Sequence, residues 1–446
     1  MSNTIALTRT LGLRSLVLFG LAYMTPLIVL GIFGVVAETT AGASSSAYLV
    51  ALVAMLFTAA SYGKLSAAYP VAGSAYTYVR RTIDSRVGFL VGWAVLLDYL
   101  FLPMVIWLIG ASYLNAQFPS VPNWAWIVGF IAITTVLNIV GIKVADRANF
   151  VLMIFQILVM VFFVGLSIAF VAAGHGTGNL VSSVPFVGDH ASISQITAGA
   201  AIAAYCFLGF DAVTTFTEET IDPVRTVPKA ILLVAAIGGG IFVLVSYTTQ
   251  LVHPGGTFDN SSSAAFDIAN QIGGAVFGAI FLAGLVIAQF TSGLAAQASA
   301  SRLLFAMGRD GVLPKKIFGE VSKKFHTPMV SLITTGVVGF IALFLDVATS
   351  TSFINFGAFV AFTMVNLSVV AHYLRQKKNG VQLSTLQFVV FPLVGAIVTF
   401  YLLLQLDSNA VTLGLIWLAV GILILTGLTK GFKRQPPELE FQEVDA

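Results

Sequence analysis

The stretch Ala204-Tyr205-Cys206-Phe207-Leu208-Gly209-Phe210-Asp211-Ala212-Val213-Thr214-Thr215 sets a glycine and an aspartate inside an apolar run. No charge falls between Ile196 and Phe210, so the segment begins as a membrane-crossing helix and then carries a carboxylate to depth. An ionisable residue in that position marks a pathway or a site. A helix interrupted around Gly209 accommodates it. Unpaired backbone groups persist at membrane depth only where they line a cavity or hold something.

The composition around this stretch is that of a membrane protein. Of 446 residues, 58% are hydrophobic and 9% charged, and the mean hydropathy is +0.95; soluble domains carry about 25% charged residues. Windows of about 20 apolar residues, enough for a ~30 Å hydrocarbon core, fall at 13–36, 46–68, 87–114, 123–141, 149–172, 195–217, 229–252, 273–305, 328–346, 352–374, 386–404 and 409–430. The expectation is an all-α polytopic membrane protein with twelve transmembrane helices. The first apolar run has no small-residue cleavage site after it, so it reads as a retained span.

Lysine and arginine collect on the cytoplasmic side of membrane proteins. With a cytoplasmic N-terminus, all 22 Lys and Arg fall in inner segments and none in an outer one, so both termini are expected inside. The net charge of +3 follows from this asymmetry and calls for no nucleic-acid partner. The single cysteine, Cys206, lies within a span and leaves no intrachain disulfide. There is no GxxxxGK[ST] loop for ATP, and no paired histidines or CxxC for a metal. No cofactor and no enzymatic activity are expected. The energy source is then an ion gradient, exchange or facilitation.

The first window contains Tyr23-Met24-Thr25-Pro26 near its middle. Proline removes a backbone donor and pushes its predecessor toward an extended conformation, which gives either a kink or a second break. Breaks in the first and sixth spans, five apart, are what an inverted five-helix repeat produces, with a binding site near the midplane. In the third span Asp98 lies eleven residues from Val87, about 16 Å along a helix and close to half depth. There it serves as a cation-binding or proton-carrying group, or as a structural acid between helices. Tyr99 beside it offers a ring face and a hydroxyl. Asn138 reads as interhelical glue and Gln156 as structural. The run from Thr217 to Lys229 is either an ion-pair gate or a capped helix end. In the tenth span Asn355 and Asn366 supply amides, and the aromatic residues around them a lid. The tail after Lys433 reads as disordered.

Several motifs together resemble the amino acid/polyamine/organocation superfamily. They are Pro70-Val71-Ala72-Gly73-Ser74-Ala75-Tyr76, Phe207-Leu208-Gly209-Phe210-Asp211, Asp222-Pro223 with Val227-Pro228-Lys229, and Gly308-Arg309-Asp310-Gly311-Val312-Leu313-Pro314. More narrowly, Gly20 to Pro26, Ser61-Tyr62-Gly63-Lys64-Leu65, Leu96 to Met104, Phe207 to Thr215 and Ile354 to Thr363 are similar to the bacterial putrescine importers of that superfamily.

The resemblance implies a five-plus-five inverted repeat with broken helices 1 and 6 and two additional C-terminal helices. It divides the chain into a cytoplasmic N-terminus (1–12), a ten-helix transport core (13–374), two further spans (375–432) and a cytoplasmic tail (433–446). It implies proton-coupled import of a small amine across a bacterial-type inner membrane, with lipid as the surrounding partner. By position Tyr23, Met24, Thr25 and Pro26 match the first unwound segment, and Tyr205, Phe207, Leu208, Gly209 and Asp211 the second. Tyr99 falls where the putrescine importers present a tyrosine to the diamine, and Asp98 and Asp211 become ammonium partners or proton carriers. The chain departs from those importers at Leu30-Gly31-Ile32-Phe33-Gly34, where they carry an acidic residue. It also carries Gln156 where sodium-independent members often have a basic one. An amino acid permease or exchanger of the same superfamily is the alternative.

Overall fold

The structure is a computed structural model that describes residues 9–70, 75–141, 146–309, 311–322 and 324–437. Residues 1–8, the 71–74 part of the Pro70–Tyr76 motif, Lys143, Asp310, Lys323 and the acidic tail from 438 lie outside them, as do the side chains of 146–150 and Glu218. Among the described residues the chain is helical, with one isolated bridge between Leu11 and Thr220 and no other β-structure.

Eleven segments are long and apolar enough to cross a membrane: Leu13–Gly31, Ser44–Ala68, Ser85–Gln117, Asn123–Val140, Val151–Ala172, Ile193–Thr217, Pro223–Val252, Ser261–Arg309, Val347–Lys378, Leu386–Leu404 and Ser408–Leu428. In chain order they are the first to eighth and the tenth to twelfth spans. The ninth window is met by a shorter helix, Met329–Leu343, whose last four residues tighten into a 3₁₀ turn. Its 15 residues rise only about 22 Å. The window ran on through Asp346, but that residue caps the next helix instead, accepting from the Thr349 amide at 2.7 Å. The eighth span also begins earlier than its hydropathy window and breaks at Gly274, where φ is +68°.

The first span is helical over Leu13–Met24, stops at Thr25 in the left-handed region (φ +47°), and resumes as Ile28–Gly31 and Phe33–Thr39. The sixth is an α-helix over Ile193–Ala203 and a 3₁₀ turn over Ala204–Phe207. It breaks at Leu208 and Gly209 (φ +97°) and continues as 3₁₀ helix over Phe210–Glu219. Both breaks expected from the sequence are present. The most extensive packing joins the second span to the seventh and the third to the eighth, again pairs five apart.

Small residues allow these close approaches. A side chain at Gly239 would collide with Leu52 and Phe207, and one at Gly293 with Trp107. Asn138 donates to the Leu294 carbonyl and to Gln297, and Gln297 donates to Thr135, so these amides bind the fourth span to the eighth. The twelfth span is clamped to the third by Trp93 and Trp417, which stack at 4.8 Å and each donate an indole N–H to the other's carbonyl at 2.8 Å.

The two ends of the bundle differ in chemistry. At the basic end, Thr10 and Leu11 donate to the Glu219 carbonyl and Ile221 donates to Leu11, tying the start of the first span to the end of the sixth. Phe19 and Phe216 meet edge-on at 4.3 Å just inside this latch. The Ala75–Thr82 segment is a short helix with Ala75, Tyr76, Tyr78, Val79 and Thr82 buried. Among the described residues, Arg225 pairs with Asp222 at this end, 3.9 Å apart within one exposed helical turn. Such a pair is worth about 0–1 kcal/mol, and this one joins no second element.

Candidate functional site

The two breaks face each other. A Cβ on Gly209 would overlap the ring of Tyr23, so the left-handed turn of the sixth span lies against the last residues of the first helix. Tyr23 sits one residue before Met24, the end of the first helical piece. The carboxylates of Asp98 and Asp211 lie within electrostatic reach of one another and of the Tyr23 hydroxyl, and Tyr205 lies within reach of Asp98. The structure thus brings Tyr23, Asp98, Tyr205, Gly209 and Asp211 into one locus. Tyr23, Thr25, Pro26, Asp98, Tyr99, Gly209 and Asp211 keep part of their surface accessible there, while Leu97, Leu100, Phe207 and Phe210 beside them are buried.

Not every sequence-selected residue turns toward this locus. Met24 packs on Gly238 of the seventh span, and Phe207 meets Phe242 of the same span edge-on at 5.1 Å. Leu208 is almost buried in an extended conformation. What Met24, Phe207 and Leu208 present to the gap is backbone.

The two acids are held differently. Asp211 Oδ2 accepts a hydrogen bond of 3.0 Å from Tyr62 of the second span. The Tyr62 ring is fixed edge-on by Tyr78, Phe210 and Phe362. Asp98 Oδ1 is buried and has no hydrogen-bond partner in the protein, an arrangement that costs about 1–3 kcal/mol or more.

Side chains from unbroken helices hold the freed backbone. Asn355 of the tenth span donates to the Ala201 and Ile202 carbonyls at 2.7 and 3.3 Å, where the sixth helix runs out. Tyr113 of the third span donates to the Leu30 carbonyl at 2.6 Å, and Tyr48 of the second to the Val29 carbonyl at 3.4 Å. Asn366, by contrast, joins Ser61 and Thr58 and ties the tenth span to the second. Gln156 of the fifth span lies beside the first break, sharing a cavity of about 10 Å³ with Ala22, Thr25, Pro26 and Leu27. That is room for a single water.

Tyr62 was not among the site residues read from the sequence, and Asn355 was read only as an amide of the tenth span, without its partners. The available signal for each was general: a hydroxyl or amide in an apolar span needs a partner. Nothing in the pattern names that partner. No cluster of metal-ligating side chains occurs among the described residues.

The locus is therefore rich in acceptors, with two carboxylates, tyrosine oxygens and helix-end carbonyls.

Comparison with known proteins agrees with this construction. An amino acid permease family model matches residues 15–425. The chain is 39% identical over 441 residues to the low-affinity putrescine importer PlaP of Escherichia coli K12, covering 98% of both chains. It is 28% identical to the methylthioribose transporter of Bacillus subtilis, over 95% of this chain and 94% of that one. It is 25% identical to the branched-chain amino acid permease BcaP of Bacillus subtilis, over 94% and 92%. All three are transporters that match nearly end to end, and the broken-helix fold is continuous across the matched region. The chain is an integral membrane transporter for a small molecule, and it belongs to the amino acid permease family of the amino acid/polyamine/organocation superfamily.

Proposed function

We propose that the protein imports a small organic amine, putrescine or a related polyamine, in symport with protons. The observation that carries this reading is the unpartnered Asp98 Oδ1 at mid-depth, within reach of Asp211 and the two breaks. An ammonium group brings three donors and a positive charge, and it satisfies that oxygen as no neutral side chain in the site does. Helix-end carbonyls at the breaks add acceptors. In this reading Tyr23, Thr25, Pro26, Tyr99 and Tyr205 wall the amine, and Met24, Phe207, Leu208 and Gly209 offer backbone. Asp98 and Asp211 exchange the proton. The ten spans within 13–374 form the transport core and 375–432 adds two helices around it. Both termini face the cytoplasm across a bacterial-type inner membrane.

One observation favours a second reading, an amino acid permease. The 3₁₀ segment from Phe210 starts at the break, and its first amides point a partial positive charge into the gap, where a substrate carboxylate fits. Proteoliposomes separate the two. Labelled putrescine uptake driven by an imposed proton gradient should collapse with a protonophore and, at putrescine well below KM, fall by about tenfold or more in Asp98→Asn. Competition by amino acids and none by diamines would select the permease instead.

A further inference from the structure

At the end of the bundle opposite the latch, the turns 40–43, 118–122, 173–192, 253–260, 344–346 and 405–407 contain no lysine or arginine. Glu38, Asp189, Asp259, Asp267, Asp346 and Asp407 all lie in these turns or beside them. A surface with one sign of charge raises the local concentration of oppositely charged solutes.

Within this end is a cavity of about 220 Å³, lined by Ser112, Asn115, Asn123, Asn260, Ser262 and Asp346 among others. Its volume is several times the ~30 Å³ that a water occupies in the liquid, so it takes an alkylammonium group with part of its stem. Several of its oxygens have acceptor capacity left. Each oxygen of Asp346 receives one hydrogen bond, from the amide and the hydroxyl of Thr349, and a carboxylate oxygen accepts two. Asn123 Oδ1 is buried with no partner. Asn115 spends its amide nitrogen on the Val121 carbonyl, which leaves its oxygen. Two helices begin at the cavity, the fourth and the tenth spans. Two end there, the third span and the 3₁₀ turn Phe340–Leu343. Their dipoles offset, and the carboxylate of Asp346 remains as the net charge.

The geometry points to a docking subsite for a primary ammonium group at this cavity, separate from the mid-membrane locus, with Asp346, Asn123 and Asn115 as its acceptors. Its position suits a first stop on the inward path. Asn260 and Ser262 line it, and the Ser261 carbonyl beside them lies so close over Gly34 of the first span that a side chain there would collide with it. An occupant therefore touches the turn that covers the outer half of the broken first helix. This inference rests on the amine reading above, and deepens it by assigning a second recognition point for the same cation.

Equilibrium dialysis of labelled putrescine against detergent-purified full-length protein carrying Asp98→Asn, at low ionic strength, tests it. One weak site should remain. Adding Asp346→Asn, which keeps a capping oxygen, should raise its Kd by about fivefold or more, the factor for a charge pair ~4 Å apart in a water-like dielectric. Asn123→Asp should tighten the site, a change that a folding defect does not imitate. Asp407→Asn, which also alters a helix cap at this end but lies outside the cavity, should leave it unchanged. Absence of a residual site, indifference to Asp346→Asn, or an equal response to Asp407→Asn overturns the subsite. The amine-import reading fails by a different result, the lack of proton-driven putrescine uptake by the unmutated protein.

Discussion

Replacing Gly209 by alanine tests whether the two broken helices meet where the structure puts them. Two costs add. At φ +97° the left-handed backbone is open to glycine and penalises an L-residue by about 1–2 kcal/mol. The new methyl also falls on the ring of Tyr23, and overpacking of that kind costs about 1–3 kcal/mol more. The expected destabilisation is then about 2–5 kcal/mol, most of it local to the break. The two parts separate in a double-mutant cycle with Tyr23→Ala. Removing the ring relieves the collision and leaves the backbone strain, so the pair should be less destabilised than the sum of the singles by about 1–3 kcal/mol. Thermal unfolding of the purified protein is the assay, with putrescine uptake as a second readout. Additivity within about 0.5 kcal/mol would falsify the contact, because residues that do not touch show no coupling beyond that size.

Two smaller perturbations probe the supports of the site. Tyr62→Phe keeps the buried ring and its edge contacts but removes the hydrogen bond to Asp211. About 1–3 kcal/mol is at stake, which predicts a 5- to 150-fold fall in maximal uptake rate or affinity; uptake within twofold of wild type would show that the bond is idle. Asn355→Ala leaves the Ala201 and Ile202 carbonyls without their side-chain donor. It should cost about 2–4 kcal/mol and raise amide hydrogen exchange in residues 200–210; Asn355→Asp, which cannot donate when ionised, should do the same, and unchanged exchange in both variants refutes the capping role.

The class, the breaks and the charged face were legible because each rests on a residue type with one strong physical preference. Glycine and proline weaken a helix without always ending it, since Pro103 and Pro228 lie inside continuous helices, and at Gly209 and Pro26 the five-span spacing of the pair supplied the second signal. An aspartate in an apolar run demands an explanation, and basic residues partition to one end. The supports were illegible for the opposite reason. Tyr62 and Asn355 sit in unbroken helices, 149 and 154 residues from the groups they bond. Only three-dimensional packing decides which of several buried tyrosines and amides reaches which break. The short ninth helix was misjudged in length for a local reason: hydropathy rises through Phe344 and Leu345, but the capping bond of Asp346 starts a new helix.

The difference between the two acids carries a consequence for kinetics. Asp211 is already engaged, since Tyr62 donates to it without any substrate, while one oxygen of Asp98 has no protein donor. In the proposed amine reading, a cation arriving between them gains most from the group that has no partner to give up, so Asp98 is expected to act on affinity. Asp211 must exchange the Tyr62 bond for another, and it lies just past the break, one residue into the 3₁₀ segment. In the proposed transport reading a rearrangement at the break would have to change that bond, so Asp211 is expected to act on rate. Asp98→Asn should accordingly raise KM for putrescine by at least tenfold with a smaller effect on maximal rate, about 1.4 kcal/mol or more by the usual conversion. Asp211→Asn should lower the maximal rate with KM changed little. Initial-rate uptake over a range of putrescine concentrations, normalised to protein in the vesicles, reads both parameters. If the two variants lose KM and rate in equal proportion, the asymmetry in hydrogen bonding has no functional counterpart and the acids act as one unit.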